Sequence, residues 1–214
     1  MIRYTDYPDR KTWLENRFKT LGASEIGVVM GYSNFMSPNQ LWEEKTRKRL
    51  HCENEKDERI DYGQKAEDCI RKLFMLKHKG EYKVEYFPYR VYYNTESPFL
   101  TSTLDGLITR LSDGVKGGYE CKSRLIQSKQ ALEEWHNQIP QSYYCQILQQ
   151  MFTAGLDFVI LNAELRFPDN NAEIREYLIE RSNVENDIKW VVQKGHEFWW
   201  YVLNDKRPPI TMTL

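Results

Sequence analysis

Apolar positions recur at helical spacing in the N-terminal part of the chain. In RKTWLENRFKTLG, Leu14, Phe18 and Leu21 share one stripe and Gly22 marks its stop. ASEIGVVMG predicts a short second helix, capped by Ser24 and closed at Gly31. SPNQLWEEKTRKR predicts a third, in which Ser37 and Gln40 form a capping box and Pro38 takes the first helical position. The mixed-charge run EEKTRKRLHCENEKDER reads as a solvated helix end and loop. IDYGQKAEDCIRKLFMLKHKG is a long amphipathic helix with Tyr62, Ala66, Cys69, Ile70, Leu73 and Phe74 on its apolar stripe. Glu67 falls at the border of that stripe, and Gly80 ends the helix.

From Glu81 the period changes to that of strands. YKVEYFPYRVYYN and FLTSTLDGLITRL are rich in β-formers, and NTESP and SDGVKGG break the run before YECKSRL. A helix follows through PQSYYCQILQQMFTAG, from Pro140 to Gly155. FVILNAELRF and EIREYLIER form a strand pair around PDNNA, and a last helix runs from about Val184 to Leu203. No repeat, low-complexity tract or linker interrupts the order, so residues 1–214 read as one mixed α+β domain, a central twisted mixed sheet flanked by helices.

Composition narrows the classes. Hydrophobic residues are 41% of the chain and aromatics 14%, enough for a sizeable core. The formal charge of −1 excludes an overall basic protein, though Lys45, Arg47, Lys48 and Arg49 could still line a local groove. Cys52, Cys69, Cys121 and Cys145 form no CxxC pair and have no histidine in metal spacing, which points to a reducing, cytoplasmic setting. MIRYTDYPDRKTW has no apolar signal core, and no apolar run is long enough to span a membrane.

The chemistry concentrates in TSTLDGLITRLSDGVKGGYECKSRL. Strand residues two apart share a face, so Glu120 and Lys122 point one way while Tyr119 and Cys121 point the other. The Leu104–Leu111 segment is the natural antiparallel partner, which can bring Asp105 near Glu120. Two carboxylates beside a lysine suit a hard cation such as Mg²⁺, with Lys122 positioning or helping to deprotonate a water. A cross-strand ion pair on a wet sheet face fits the same three residues equally well.

The order of several further pieces adds to this. LGASEIGVVMGYSNFMSPNQLWEEKT, GQKAEDCIRKLF, TSTLDGL, YECKS, YYCQILQQMFTAGLDFVIL and FWWYVLNDKRPP follow one another as in the YqaJ-type viral recombinases. The chain resembles that family, relatives of phage lambda exonuclease within the PD-(D/E)XK nuclease superfamily. The resemblance implies a restriction-endonuclease-like core in which Asp105, Glu120 and Lys122 are the metal-binding and catalytic set. It also implies roles for the backbone carbonyl of Cys121 as a metal ligand, for Glu67 as a ligand and catalytic group, and for Gln146 in catalysis. Arg17, Ser24 and Thr103 match the family elements that hold a 5′-phosphate. Ser24 is equally a good helix cap in any protein, and Arg17 a plain surface arginine.

The activity so implied is a Mg²⁺-dependent exonuclease, with Mn²⁺ as a substitute and two ions per site. It would digest linear duplex DNA 5′ to 3′ and leave 3′ overhangs for a single-strand annealing protein in phage recombination. A homotrimeric ring around DNA is part of the same implication. An endonuclease or a nuclease of other polarity, and a DNA-binding module without catalysis, stand as alternatives. Two departures are visible: Leu104 stands where the family usually has proline, and Thr103 where serine is common. Neither removes a ligand. His51, His78, His136 and His196 are scattered away from these motifs, and FWWYV reads as packing.

Overall fold

The computed structural model describes residues 1–48 and 58–209. In chain order, β1 (Ile2–Asp6) and α1 (Arg10–Arg17) lead into the two-residue β2 (Leu21–Gly22), then α2 (Ala23–Val29) and α3 (Pro38–Lys45). α4 (Glu58–Lys77) precedes β3 (Tyr82–Glu85), β4 (Arg90–Asn94), β5 (Leu100–Ser102), β6 (Gly106–Arg110) and β7 (Lys116–Leu125). The short α5 (Lys129–Glu133) and α6 (Gln141–Ala154) cross over to β8 (Phe158–Arg166), β9 (Ala172–Glu180) and α7 (Glu185–Leu203).

The fold is mixed α+β, but the strands divide between two sheets, ordered β1-β4-β5-β2 and β3-β6-β7-β8-β9. Both breaks fall inside runs that the β-former pattern reads as continuous. YKVEYFPYRVYYN turns at Tyr89, which adopts a left-handed φ of 60°, so β3 and β4 leave in different directions. FLTSTLDGLITRL breaks at Thr103–Asp105, so β5 joins the first sheet and β6 the second.

The second sheet carries the site. β6 pairs antiparallel with β7 through Gly106↔Tyr119, the partnership expected from the hairpin. β7 then runs parallel to β8 from Gly117↔Phe158 to Leu125↔Arg166, a pairing that requires the helical crossover supplied by α5 and α6. Gly117 and Gly118 are strand residues rather than part of the turn. A Cβ at Gly117 would sit 2.4 Å from the Phe158 ring, and one at Gly118 would sit 2.8 Å from Leu156 Cδ1. Those two contacts lie on opposite faces of the strand, so both faces close tightly on it.

One face is covered by α4, where Ile70 and Phe74 pack with Ile108, Tyr119, Cys121, Phe158 and Ile160. The other is covered by α6 and α7, in a larger core that includes Val159, Leu161, Ala163, Ile147, Leu148, Met151, Ile188 and Val191. α6 also packs on β4 and β5, which ties the two sheets together through one helix. It starts after Pro140 and ends where Gly155 turns left-handed at φ 63°, as its sequence signals predict.

Several local expectations need correction. α1 stops at Arg17, and Leu21 lies fully buried in β2 opposite Leu100 rather than on a helical stripe. Gly22 caps α2 and its N–H donates to the Glu25 side chain, so Ser24 sits inside the first turn with its hydroxyl free for other use. The α4 stripe is narrower than the periodicity suggests: Tyr62, Cys69 and Leu73 are exposed, and the row Ile70–Phe74 makes the contact. A helix lying on a sheet needs only one i, i+4 row there. β1 was not expected at all, because every one of its side chains is exposed. Lys45 is buried, not part of a basic surface: its ammonium donates to the Arg17 carbonyl at 2.8 Å and to Glu25 at 2.9 Å. Arg49, Cys52 and much of the mixed-charge run lie outside the described residues.

Candidate active site

The site begins where β6 separates from β7. Going back from Gly106, the chain bends at Asp105 and no longer offers a carbonyl to β7. The freed N–H of Cys121 instead donates to Asp105 Oδ2 at 2.8 Å. The Asp105 side chain is thereby fixed at the middle of β7, one residue from both Glu120 and Lys122. Arg71 of α4 donates to the Asp105 backbone carbonyl at 3.1 Å and holds the bend from the other side.

Glu120 is 2% exposed and faces α6. Its Oε1 accepts from Lys122 Nζ and, at 2.5 Å, from Gln146 Nε2; its Oε2 accepts from Gln150 Nε2 at 2.5 Å. Gln146 and Gln150 are one helical turn apart, so a single face of α6 serves both oxygens. The wet-face ion pair is excluded as a description, because the carboxylate is buried under a helix. A buried charge with this many donors is an expensive arrangement that needs a reason.

The electrostatics are those of crowded carboxylates. Burial pushes the Asp105 carboxyl up to about 8, and the charge of Glu120 adds to the effect. Burial likewise raises the Glu67 carboxyl; Lys122 pulls it back and Glu120 pushes it up, so Glu67 lies within electrostatic reach of both. Burial disfavours the Lys122 ammonium, yet Glu120 and Asp105 outweigh it and hold its pKa above the ordinary lysine value. Lys122 also lies over the Tyr143 ring, 5.4 Å from its centroid.

Among the described residues, no three His, Cys, Asp or Glu side chains close into a metal cage. Asp105, Glu120 and Lys122 share one cluster; Glu67 interacts with all three through charge, and among the described residues its carboxylate has no hydrogen bond.

A cleft of about 380 Å³ opens beside this cluster. Arg17, Ser24 and Thr103 all line it, and so does Gln146, whose amide binds Glu120. The three residues expected to share a pocket therefore do, and one residue belongs to both the pocket and the carboxylate cluster. Arg17 donates to Ser24 Oγ at 3.1 Å, has Glu25 at 3.8 Å, and lies over the Trp13 ring at 5.0 Å. Tyr7, Trp13 and Tyr93 supply aromatic wall.

Sequence reasoning missed two residues here. Arg71 is buried on α4 beside the apolar row, and its role runs through a backbone carbonyl that no motif records. Gln150 could have been suspected, since a polar residue four positions from Gln146 on a largely buried helix needs a partner.

Residues 12–157 match the YqaJ-like viral recombinase domain. The uncharacterized protein YqaJ of Bacillus subtilis (strain 168) is 26% identical over 198 residues, covering 92% of this chain and 56% of that protein. The chain thus spans little more than half the length of that relative. In fold it is similar to the crystal structure of an alkaline exonuclease, LHK-Exo, from Laribacter hongkongensis, with a TM-score of 0.64 at 15% identity over 91% of this chain and 93% of that one. The structure of LHK-Exo in complex with dAMP matches over the same shares with a TM-score of 0.59 at 15% identity. No helix among the described residues is long and apolar enough to cross a membrane. With the domain match extending over most of its length and taking in Arg17, Ser24, Glu67, Thr103, Asp105, Glu120, Lys122 and Gln146, the chain belongs to the YqaJ-like viral recombinase domain family.

Proposed function

We propose that the chain is a nuclease, a Mg²⁺-dependent exonuclease that digests linear duplex DNA from the 5′ end and leaves a 3′ single strand. The observation that carries this reading is the continuity of two sites. The cleft lined by Arg17, Ser24 and Thr103 meets the Asp105–Glu120–Lys122 cluster through Gln146. An anion held in the first would present the neighbouring phosphodiester to the second. The alkaline exonuclease similar in fold supports the reaction class, and the family supports a place in recombination.

The donor set fits a hard cation of the Mg²⁺ type. Mg²⁺ needs only one or two carboxylates and keeps its remaining positions for water and substrate phosphate, so a closed cage is not required. Asp105 and Glu120 would hold it with the Cys121 carbonyl, and Glu67 would serve a second ion; Mn²⁺ would replace Mg²⁺ at the same oxygens. Burial, with the charge of Glu120 beside it, pushes the Asp105 carboxyl up to about 8, and a divalent charge would relieve that cost. Such an ion supplies activation of a water and neutralisation of charge on the phosphate.

The chain's own residues do the rest. Lys122, held protonated by its two carboxylate neighbours, contributes a hydrogen bond and a positive charge to the nucleophile or the phosphate rather than abstracting a proton. Gln146 orients Glu120 and reaches into the cleft. Arg17 presents a planar donor fork to a terminal phosphate, with Ser24 and Thr103 hydroxyls beside it. Assembly of three copies around the duplex, and delivery of the 3′ strand to a single-strand annealing protein, complete the proposal and rest on the family resemblance.

The test is nucleotide release in Mg²⁺ from a linear duplex labelled at one 5′ or one 3′ end, with 5′-phosphate or 5′-hydroxyl termini and a closed circle as control. Release from the 5′ end, faster with 5′-phosphate and absent from the circle, is the expected result. Cutting of the circle would make the protein an endonuclease, and release from the 3′ end would reverse the polarity.

A further inference from the structure

Gln146, Gln149 and Gln150 of α6 have different employments. Gln149 is fully buried and its amide donates to the backbone carbonyls of Leu21 at 2.8 Å and Thr101 at 3.0 Å, strapping β2 to β5. Gln146 lines the cleft and binds Glu120 Oε1. Gln150 is buried away from the cleft, and its single amide nitrogen donates to Glu120 Oε2 at 2.5 Å and to the Thr103 carbonyl at 3.3 Å. Its own Oε1, like that of Gln149, has no hydrogen-bond partner among the described residues. A buried, half-satisfied amide costs about 1–3 kcal/mol, so packing alone would favour an apolar residue of the same size.

The lone-pair count on Glu120 shows what that amide does. Among the described residues, Oε1 accepts from both Lys122 and Gln146, while Oε2 accepts from Gln150 alone. A carboxylate has about four acceptor sites, two on each oxygen. Oε1 is filled by the protein and Oε2 keeps capacity. Without the Gln150 amide, Lys122 and Gln146 would still hold Oε1, but the group could swing about it.

We propose that Gln150 is a positioning residue for cation binding: it fixes the Glu120 carboxylate so that Oε2 is the oxygen offered to the ion. Through the Thr103 carbonyl the same amide ties that carboxylate to the segment that carries Thr103 and Asp105. The phosphate-binding wall and the carboxylates thereby move as one unit. The inference rests on the metal site proposed above.

The test uses Mn²⁺ as probe, titrated calorimetrically into the wild type, Gln150→Met and Gln149→Met, with melting curves for each. Gln150→Met should weaken Mn²⁺ binding roughly tenfold, as loss of an orienting partner does elsewhere, and raise the Mg²⁺ concentration for half-maximal nuclease activity by a similar factor. Gln149→Met should lower the melting temperature and leave Mn²⁺ affinity unchanged. Gln150→Leu takes the place of the methionine variant if that one does not fold. Wild-type Mn²⁺ affinity in a folded Gln150 variant overturns the assignment, and so does a wild type that binds no Mn²⁺. If Mn²⁺ binding follows the prediction while no DNA is digested, the nuclease reading falls and the role of Gln150 stands.

Discussion

Glu120 and Cys121 are neighbours on β7, 2% and 1% exposed, and they live in different chemistry. Cys121 faces α4 in a dry cluster with Phe74, Tyr119, Phe158 and Ile160. Glu120 faces α6 and meets an ammonium and two amides. The two-residue pleat separates packing from polarity with no change of strand. The difference teaches how the site keeps its shape. The apolar face anchors β7 between α4 and β8, and the opposite face can then afford a carboxylate cluster that by itself would repel.

The sharpest way to test that division is to remove a group from each face. Lys122→Ala should lower nucleotide release roughly 10³-fold, within the range for loss of a positioned proton-bearing group, with a smaller loss of stability from the buried carboxylate left without its ammonium. Phe74→Ala on the other face should do the reverse. Loss of a buried ring costs about 3–5 kcal/mol, read by chemical denaturation, with turnover per folded molecule retained. A stability loss in Lys122→Ala as large as that of Phe74→Ala would dissolve the distinction.

Smaller effects refine it. Arg17→Ala should slow digestion of 5′-phosphorylated ends about tenfold, the scale of a lost charge-assisted hydrogen bond, and leave 5′-hydroxyl ends unchanged in a side-by-side rate measurement. Equal slowing of both ends would remove Arg17 from phosphate recognition.

The smallest effect concerns how α4 is tied down. His78 bridges Glu81 at 2.9 Å and Glu176 of β9 at 2.8 Å, with Lys77 on Glu176 as well. Burial disfavours its imidazolium, but the two carboxylates outweigh burial and raise its pKa. A raised pKa in the folded state makes this contribution fully present below the unfolded histidine value of about 6.5 and lost as pH rises through the folded value. His78→Gln should therefore cost up to about 1 kcal/mol at pH 6 and nothing at pH 9, given the partial exposure. Melting curves at the two pH values read this directly.

What could be read in advance was whatever has a local cause. The capping box of Ser37 and Gln40, the Pro140 and Gly155 boundaries of α6, and the β8–β9 strand pair around PDNNA are written in a few adjacent residues. The Asp105–Glu120–Lys122 cluster was legible in part for the same reason, since a strand period and one hairpin can bring its parts within reach, and the family resemblance singled them out. The division into two sheets was not, because it turns on the left-handed Tyr89 and on the Asp105 bend, neither of which disrupts the β-former pattern. Lys45 looked like surface because its partners, Glu25 and the Arg17 carbonyl, lie 20 and 28 residues away. Arg71 and Gln150 act through groups that carry no sequence signature of their own.

The central claim is that charge is kept at Asp105 for function and against stability. Burial and Glu120 raise its pKa in the folded state, so ionising it destabilises the fold increasingly as pH rises from about 4 towards 8. Asp105→Asn keeps the shape and an acceptor for the Cys121 N–H while removing the charge. The decisive measurement is the melting temperature of Asp105→Asn and wild type at pH 8 in EDTA, with nucleotide release in Mg²⁺ from the same preparations. The account predicts a variant at least as stable as wild type and without release. A variant that is less stable, or that digests DNA at the wild-type rate, would contradict it.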